Sequence, residues 1–144
     1  MNSTDVLNLL RSETPLSPVM CIASAQAHEC QSFFVRGYRE KFSGLTEFVA
    51  SALRSMAQEL GIENTEIRSP LVTPVSAQPW QVAYDITVKP GSMLCFPPAD
   101  ALGFEPPSDL QRRFFLQPNL MVEEECFVCD THNEFVLLYW YTTG

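Results

Sequence analysis

The sequence predicts an α+β domain, with N-terminal helices packed on an antiparallel sheet of about four to five strands that ends in a C-terminal β-hairpin. Three observations carry this expectation. Residues 45–60 place Leu45, Phe48, Val49, Ala52, Leu53, Met56 and Leu60 on one helical face. Residues 80–89 alternate instead, with Trp80, Val82, Tyr84, Ile86 and Val88 set against Gln81, Ala83, Asp85, Thr87 and Lys89, the period of a half-buried strand. Finally, the loop-forming tetrad Asp130-Thr131-His132-Asn133 precedes the apolar run FVLLYWY over residues 135–141. Helical spacing thus comes first along the chain and strand spacing later.

Taken in order, Ser3 or Thr4 is placed to cap a short helix over residues 4–11, which the segment SETPLSP ends. Residues 19–23 suit either a strand or a helix start. Cys30, Phe33, Phe34, Tyr38 and Phe42 recur at spacings of three and four, which predicts a helix over residues 26–41, weakened by Gly37. Ser43 is placed to cap the helix at 45–60, and Gly61 to stop it. Residues 66–73 read as an antiparallel partner of 80–89, at an edge because of Pro70 and Pro74. A third strand is expected over 93–96, and Ser108-Asp109 marks a short helix to about residue 116. Residues 120–129 and 134–142 form the arms of the hairpin. The second arm is apolar on both faces, so it belongs in the middle of a sheet covered on both sides, or in a sheet whose second face meets a partner.

The whole chain, residues 1–144, is expected to fold as one domain. At 144 residues and 46% hydrophobic composition it can bury a core without metals or disulfides. A net charge of −8 argues against direct nucleic-acid binding or an anionic membrane surface. That charge is uneven: residues 1–72 hold 8 acids and 6 bases, residues 73–144 hold 9 and 3, and no Lys or Arg follows Phe114. The acids of this last stretch, Glu123, Glu124, Glu125, Asp130 and Glu134, predict an acidic pole. The cluster Arg36, Arg39 and Lys41 and the pair Arg112-Arg113 are its natural counter-charges, and contact between the pole of one copy and this basic patch on another predicts self-association. Five cysteines, an odd number at wide spacing, and a start lacking a basic and apolar leader point to reduced thiols in the cytoplasm.

Chemical motifs are few. The six glycines are isolated, so neither a Walker loop nor a dinucleotide fingerprint can be written, and there is no G-x-S-x-G or H-E-x-x-H pattern. His28 reads as a surface histidine. Cys126, Cys129 and His132 form a C-x-x-C followed three residues later by His, a pattern that offers three corners of a zinc site, with Cys30 or Cys95 supplying the fourth from elsewhere, or a dithiol pair. On a strand, however, residues three apart point to opposite faces, and no helix follows to lower a thiol pKa. The cysteines therefore read first as small buried hydrophobes. Glu123 and Glu125 share a strand face and suit a solvated surface better than an acid–base pair.

Residues 96–108, FPPADALGFEPPS, carry Phe96, Leu102 and Phe104 between two Pro-Pro pairs, as a lid on the core or a preorganised recognition loop. Together these features predict a small acidic, non-enzymatic protein-binding module without a cofactor, of the adaptor, inhibitor, immunity or chaperone type. Its contact residues are expected to be Glu123, Glu124, Glu125, Phe96, Leu102 and Phe104, against a partner with a basic surface. The alternatives are a metal- or thiol-dependent protein using Cys126, Cys129 and His132, and an acidic nucleic-acid mimic.

Overall fold

In the computed structural model, which describes residues 1–27, 30–74 and 112–142, two helices lie against one face of an antiparallel sheet. Helix α1 (Ser3–Arg11) precedes β1 (Met20–Ala27) and β2 (Cys30–Tyr38); α2 (Leu45–Glu59) precedes β3 (Leu71–Pro74), and β4 (Arg112–Gln117), β5 (Glu123–Asp130) and β6 (Glu134–Thr142) close the chain. The six described strands run in the order β1-β2-β6-β5-β4-β3, each antiparallel to its neighbour. The α+β class stands.

The helix expected at 45–60 is α2; its expected face is buried together with Ala50, Ser51 and Ala57, except for Leu60, which caps the helix and is only partly buried. Its cap differs from expectation. Gly44 occupies the N-cap without a side-chain bond, and the N–H of Ser43 instead donates to the Glu47 carboxylate at 3.0 Å. Gly61 ends the helix with φ of +72°, a left-handed conformation that favours glycine. In α1 the cap is Asn2, whose Oδ1 accepts from the Thr4 N–H at 2.8 Å, rather than Ser3 or Thr4.

Two expected helices are strands. Residues 30–38 form β2, paired along its whole length with β6 from Cys30↔Thr142 to Tyr38↔Glu134. Phe33 and Val35 face the helices while Phe34 faces the opposite side, and all three are fully buried. A strand covered on both faces shows no alternation, and the spacing of its aromatics coincided with a helical period. Likewise, residues 112–116 of the second expected helix belong to β4, paired with β5 through Phe115↔Phe127 and Leu116↔Cys126. The ambiguous stretch at 19–23 opens β1. Strand β3 pairs with β4 and stands last among the described strands. The strands expected at 80–89 and 93–96 lie outside the described residues.

Strand β6 sits between β2 and β5. Phe135, Leu137, Tyr139 and Tyr141 point toward α2, where Phe48 and Phe135 rings lie 5.4 Å apart and Phe33 and Tyr139 rings 6.0 Å apart. Val136 and Leu138 point the other way and are also fully buried, beside Phe34, Phe127 and Cys129. Trp140 stacks on Phe127 at 6.1 Å on that second face. Of the two settings expected for an all-apolar strand, β6 therefore occupies the middle of a sheet with both faces buried within one chain.

Gly37 is the position where packing leaves no room for a side chain. A Cβ there meets the Phe42 ring at 2.5 Å and the Phe48 ring at 3.1 Å. Replacing it forces the Phe42–Phe48–Phe135 cluster apart. G37A is expected to cost about 1–3 kcal/mol in urea unfolding through overpacking. G44S, with no atom near the added Cβ and a residue favoured at this N-cap position, is the control and should not lower the midpoint.

Candidate functional site

The acidic triplet Glu123-Glu124-Glu125 opens β5, and strand alternation separates its members. Glu124 lies on the helix-facing side, in register with Tyr141, whereas Glu123 and Glu125 share the other face and are exposed. Residues 118–122 form the connection from β4, with Asn119 at φ of +60°, a conformation asparagine tolerates better than most residues.

The Glu124 carboxylate organises that connection. It accepts the backbone N–H groups of Asn119, Leu120 at 3.2 Å and Met121 at 3.0 Å, and the hydroxyl of Tyr139 at 2.7 Å. The Asn119 side-chain amide donates to the Ser69 carbonyl at 3.1 Å, which ties the turn to the segment before β3. Four donors on one carboxylate fix the turn while leaving Val122 wholly exposed beside Glu123 and Glu125. Thr142 donates its hydroxyl to Glu123 at 2.9 Å. Glu124 is therefore an internal anchor, and the outward-facing set is Val122, Glu123 and Glu125. The Pro118-Asn119 turn signal and the period-two alternation of the triplet are the sequence features that mark this difference.

The other C-terminal acids are matched inside the chain. Arg36 forms a two-pronged ion pair with Glu134 through Nε and Nη2, both side chains nearly buried. Asp130 is fully buried with the Arg39 guanidinium 3.5 Å away. Arg39 also donates to the Thr131 carbonyl at 2.9 Å and lies over the Phe135 ring at 5.4 Å. Arg36 and Arg39 thus serve as the counter-charges expected of them, at the β5–β6 hairpin. Lys41, the third base of that group, is exposed and makes no ion pair among the described residues. Glu124, Asp130 and Glu134 being engaged in this way, the C-terminal acids form no continuous outward stripe.

Cys126 and Cys129 are both buried. Their pairing partners Tyr139 and Val136 follow in an unbroken register, so no bulge turns the two thiols toward one another. Cys126 lies among the core side chains under the helices, and burial, then the nearby Glu124 charge, raises its pKa. His132 is exposed in the hairpin turn. Among the described residues no group of three or more His, Cys, Asp or Glu side chains is placed to hold a metal ion. Phe96, Leu102, Phe104, His28 and Cys95 lie outside the described residues.

A second exposed feature escaped the sequence reading. Where β1 begins beside the end of β2, a cleft of about 590 Å³ is walled by Pro18, Met20, Tyr38, Lys41 and Phe42. Met20 is 45% and Tyr38 49% exposed.

No family model matches the chain, and neither a curated protein nor a solved structure matches it. No helix among the described residues is long and apolar enough to cross a membrane.

Two outcomes test this arrangement. Native protein treated with iodoacetamide should carry no label at Cys126 or Cys129 by peptide mass spectrometry, and both should label after denaturation in guanidinium; labelling at equal rates in the two states contradicts the burial. Stability should also fall at alkaline pH. Burial, then the hydrogen bond and charge of Glu124, raise the Tyr139 pKa, and Cys126 is raised as well. The unfolded forms ionise near pH 10 and about 8.5, while the folded groups hold their protons, so stability is full below those values and declines as pH rises past them. The decline is at most about 1.4 kcal/mol per pH unit for each group. Above about pH 10 the slope of urea stability against pH should be shallower in Y139F than in wild type.

Proposed function

We propose that this chain is a small, acidic, non-enzymatic protein-binding module of the adaptor, inhibitor, immunity or chaperone type. Its contact element is the turn at 118–122 with the flanking Glu123 and Glu125. The observation that carries this reading is the clamp of Glu124 on three backbone N–H groups, because it fixes the turn that ends in a fully exposed aliphatic side chain, followed along the chain by the exposed Glu123 and Glu125. A turn already fixed before contact loses little conformational entropy on binding. Isolated exposed apolar residues are common on proteins, but one carried on a turn whose amides are individually satisfied is presented in a single geometry. The flanking negative charge selects a partner with a basic surface, steering encounter and excluding acidic competitors.

The described chemistry supports binding over catalysis. Among the described residues the titratable groups with a raised pKa, Cys126 and Tyr139, are sealed in the core, and Glu123 and Glu125 lie at the end of β5 away from the hairpin turn that carries His132.

Affinity capture from extracts of the source cells, quantified by mass spectrometry, tests the proposal. A partner enriched by wild type should be lost with the triple variant V122S/E123K/E125K and retained with E59K, a charge reversal on the exposed end of α2. Retention of every enriched protein by the triple variant refutes the role of the turn.

A further inference from the structure

The cleft at the start of β1 and the turn at 118–122 stand at opposite ends of the sheet. Glu123 pairs with Thr142 at the last residue of β6, while Tyr38 pairs with Glu134 at its first. Each end carries what the other lacks. The cleft offers apolar walls from Pro18, Met20, Tyr38 and Phe42, with exposed Lys41 as its cation. The turn offers a fully exposed Val122, followed by the exposed carboxylates of Glu123 and Glu125. We propose that the occupant of this cleft is the 118–125 turn of a second copy of the chain, with Val122 entering between Met20 and Tyr38 and Glu123 or Glu125 meeting Lys41.

Charge complementarity commits the proposal to this occupant. Among the described residues at this end of the sheet, Arg36 is nearly buried in its pair with Glu134 and Arg39 is engaged with Asp130 and Thr131, so Lys41 carries the exposed basic charge of the cleft wall, next in sequence to exposed Glu40. An acidic, apolar tip fits that wall, and the chain itself carries one. The contact is heterologous: the surface used on one copy differs from that used on the next, so each copy has one free donor end and one free acceptor end. Association then grows by chain extension rather than stopping at a symmetric pair. One turn seated in one cleft is a small interface, which makes the contact weak and reversible.

The inference rests on the turn being a recognition element, as proposed above, and the closing experiment separates the two. Sedimentation velocity of the full chain at low salt should show a weight-average mass at about 0.5 mM roughly 1.3-fold or more above that at about 10 μM, with no plateau at the dimer. K41E and V122S/E123Q/E125Q should each stay monomeric over this range. Mixed in equal amounts they should form a species of twice the monomer mass that does not grow further, because K41E retains only its turn and V122S/E123Q/E125Q, whose neutral tip cannot pair with an acidic cleft, retains only its cleft. Salt at about 0.5 M should reverse the association of wild type. Wild type that stays monomeric throughout, or a mixture of the two variants that stays monomeric while wild type associates, overturns the proposal. Capture of a foreign partner by the turn is read independently, since K41E leaves the turn intact.

Discussion

Both faces of β6 must be removed from water, and most of the molecule is arranged to do this. The strand carries seven consecutive apolar residues, and its full-length pairing with β2 and β5 fixes which side chains go to each side. The odd-numbered set, Phe135 to Tyr141, meets α2 and the Phe33 and Val35 side chains of β2. The even-numbered set meets Phe34, Phe127 and Cys129 on the other face. A slip of one residue would exchange the two sets and set aromatic rings against the wrong layer, so the register is determined by packing as well as by hydrogen bonds. Gly37 shows how tight that determination is, since the Phe42 ring occupies the place where its Cβ would stand.

The same pairing explains the charge pattern. A chain end without Lys or Arg folds beside the strand that carries Arg36 and the turn that carries Arg39, so two of its acids are neutralised across the sheet. A third, Glu124, satisfies backbone amides of its own turn. Such contacts are worth more for geometry than for net stability, because an ion pair removed from water gives back much of its attraction as desolvation. What they accomplish is placement: Arg39 fixes the hairpin against the end of β2, and Glu124 fixes the tip between β4 and β5. The acidity left facing outward is narrow, concentrated at Glu123 and Glu125.

Much of the fold was legible. The apolar stripe of α2 was legible because its large apolar residues recur at helical spacing, with the small Ala50, Ser51 and Ala57 buried between them and Glu47, Arg54, Gln58 and Glu59 left at least partly exposed. The hairpin was legible from its turn composition, although Asp130 pairs with Phe135 and so shortens the loop by one residue. β2 and β4 were misread for a common reason. Phe33-Phe34-Val35 and Phe114-Phe115-Leu116 are buried or half-buried on successive residues, and without alternation the local pattern no longer distinguishes strand from helix. Of the candidate site, the location at 123–125 was legible but the division of labour was not. Three identical neighbours look equivalent in sequence, and only the pleat of β5 and the approach of the 118–122 turn single out Glu124. The cleft was illegible because its walls come from segments separated along the chain and joined by the β1–β2 pairing.

A recognition element of this size works only if it is rigid before contact, so the account depends most on the carboxylate clamp. Amide hydrogen exchange followed residue by residue tests it directly. The N–H groups of Asn119, Leu120 and Met121 should exchange slowly for a surface turn in wild type, and E124Q should speed all three by about tenfold or more while the β6 amides stay protected. Rapid exchange of these three amides in wild type, or slow exchange that E124Q leaves unchanged, would contradict the account.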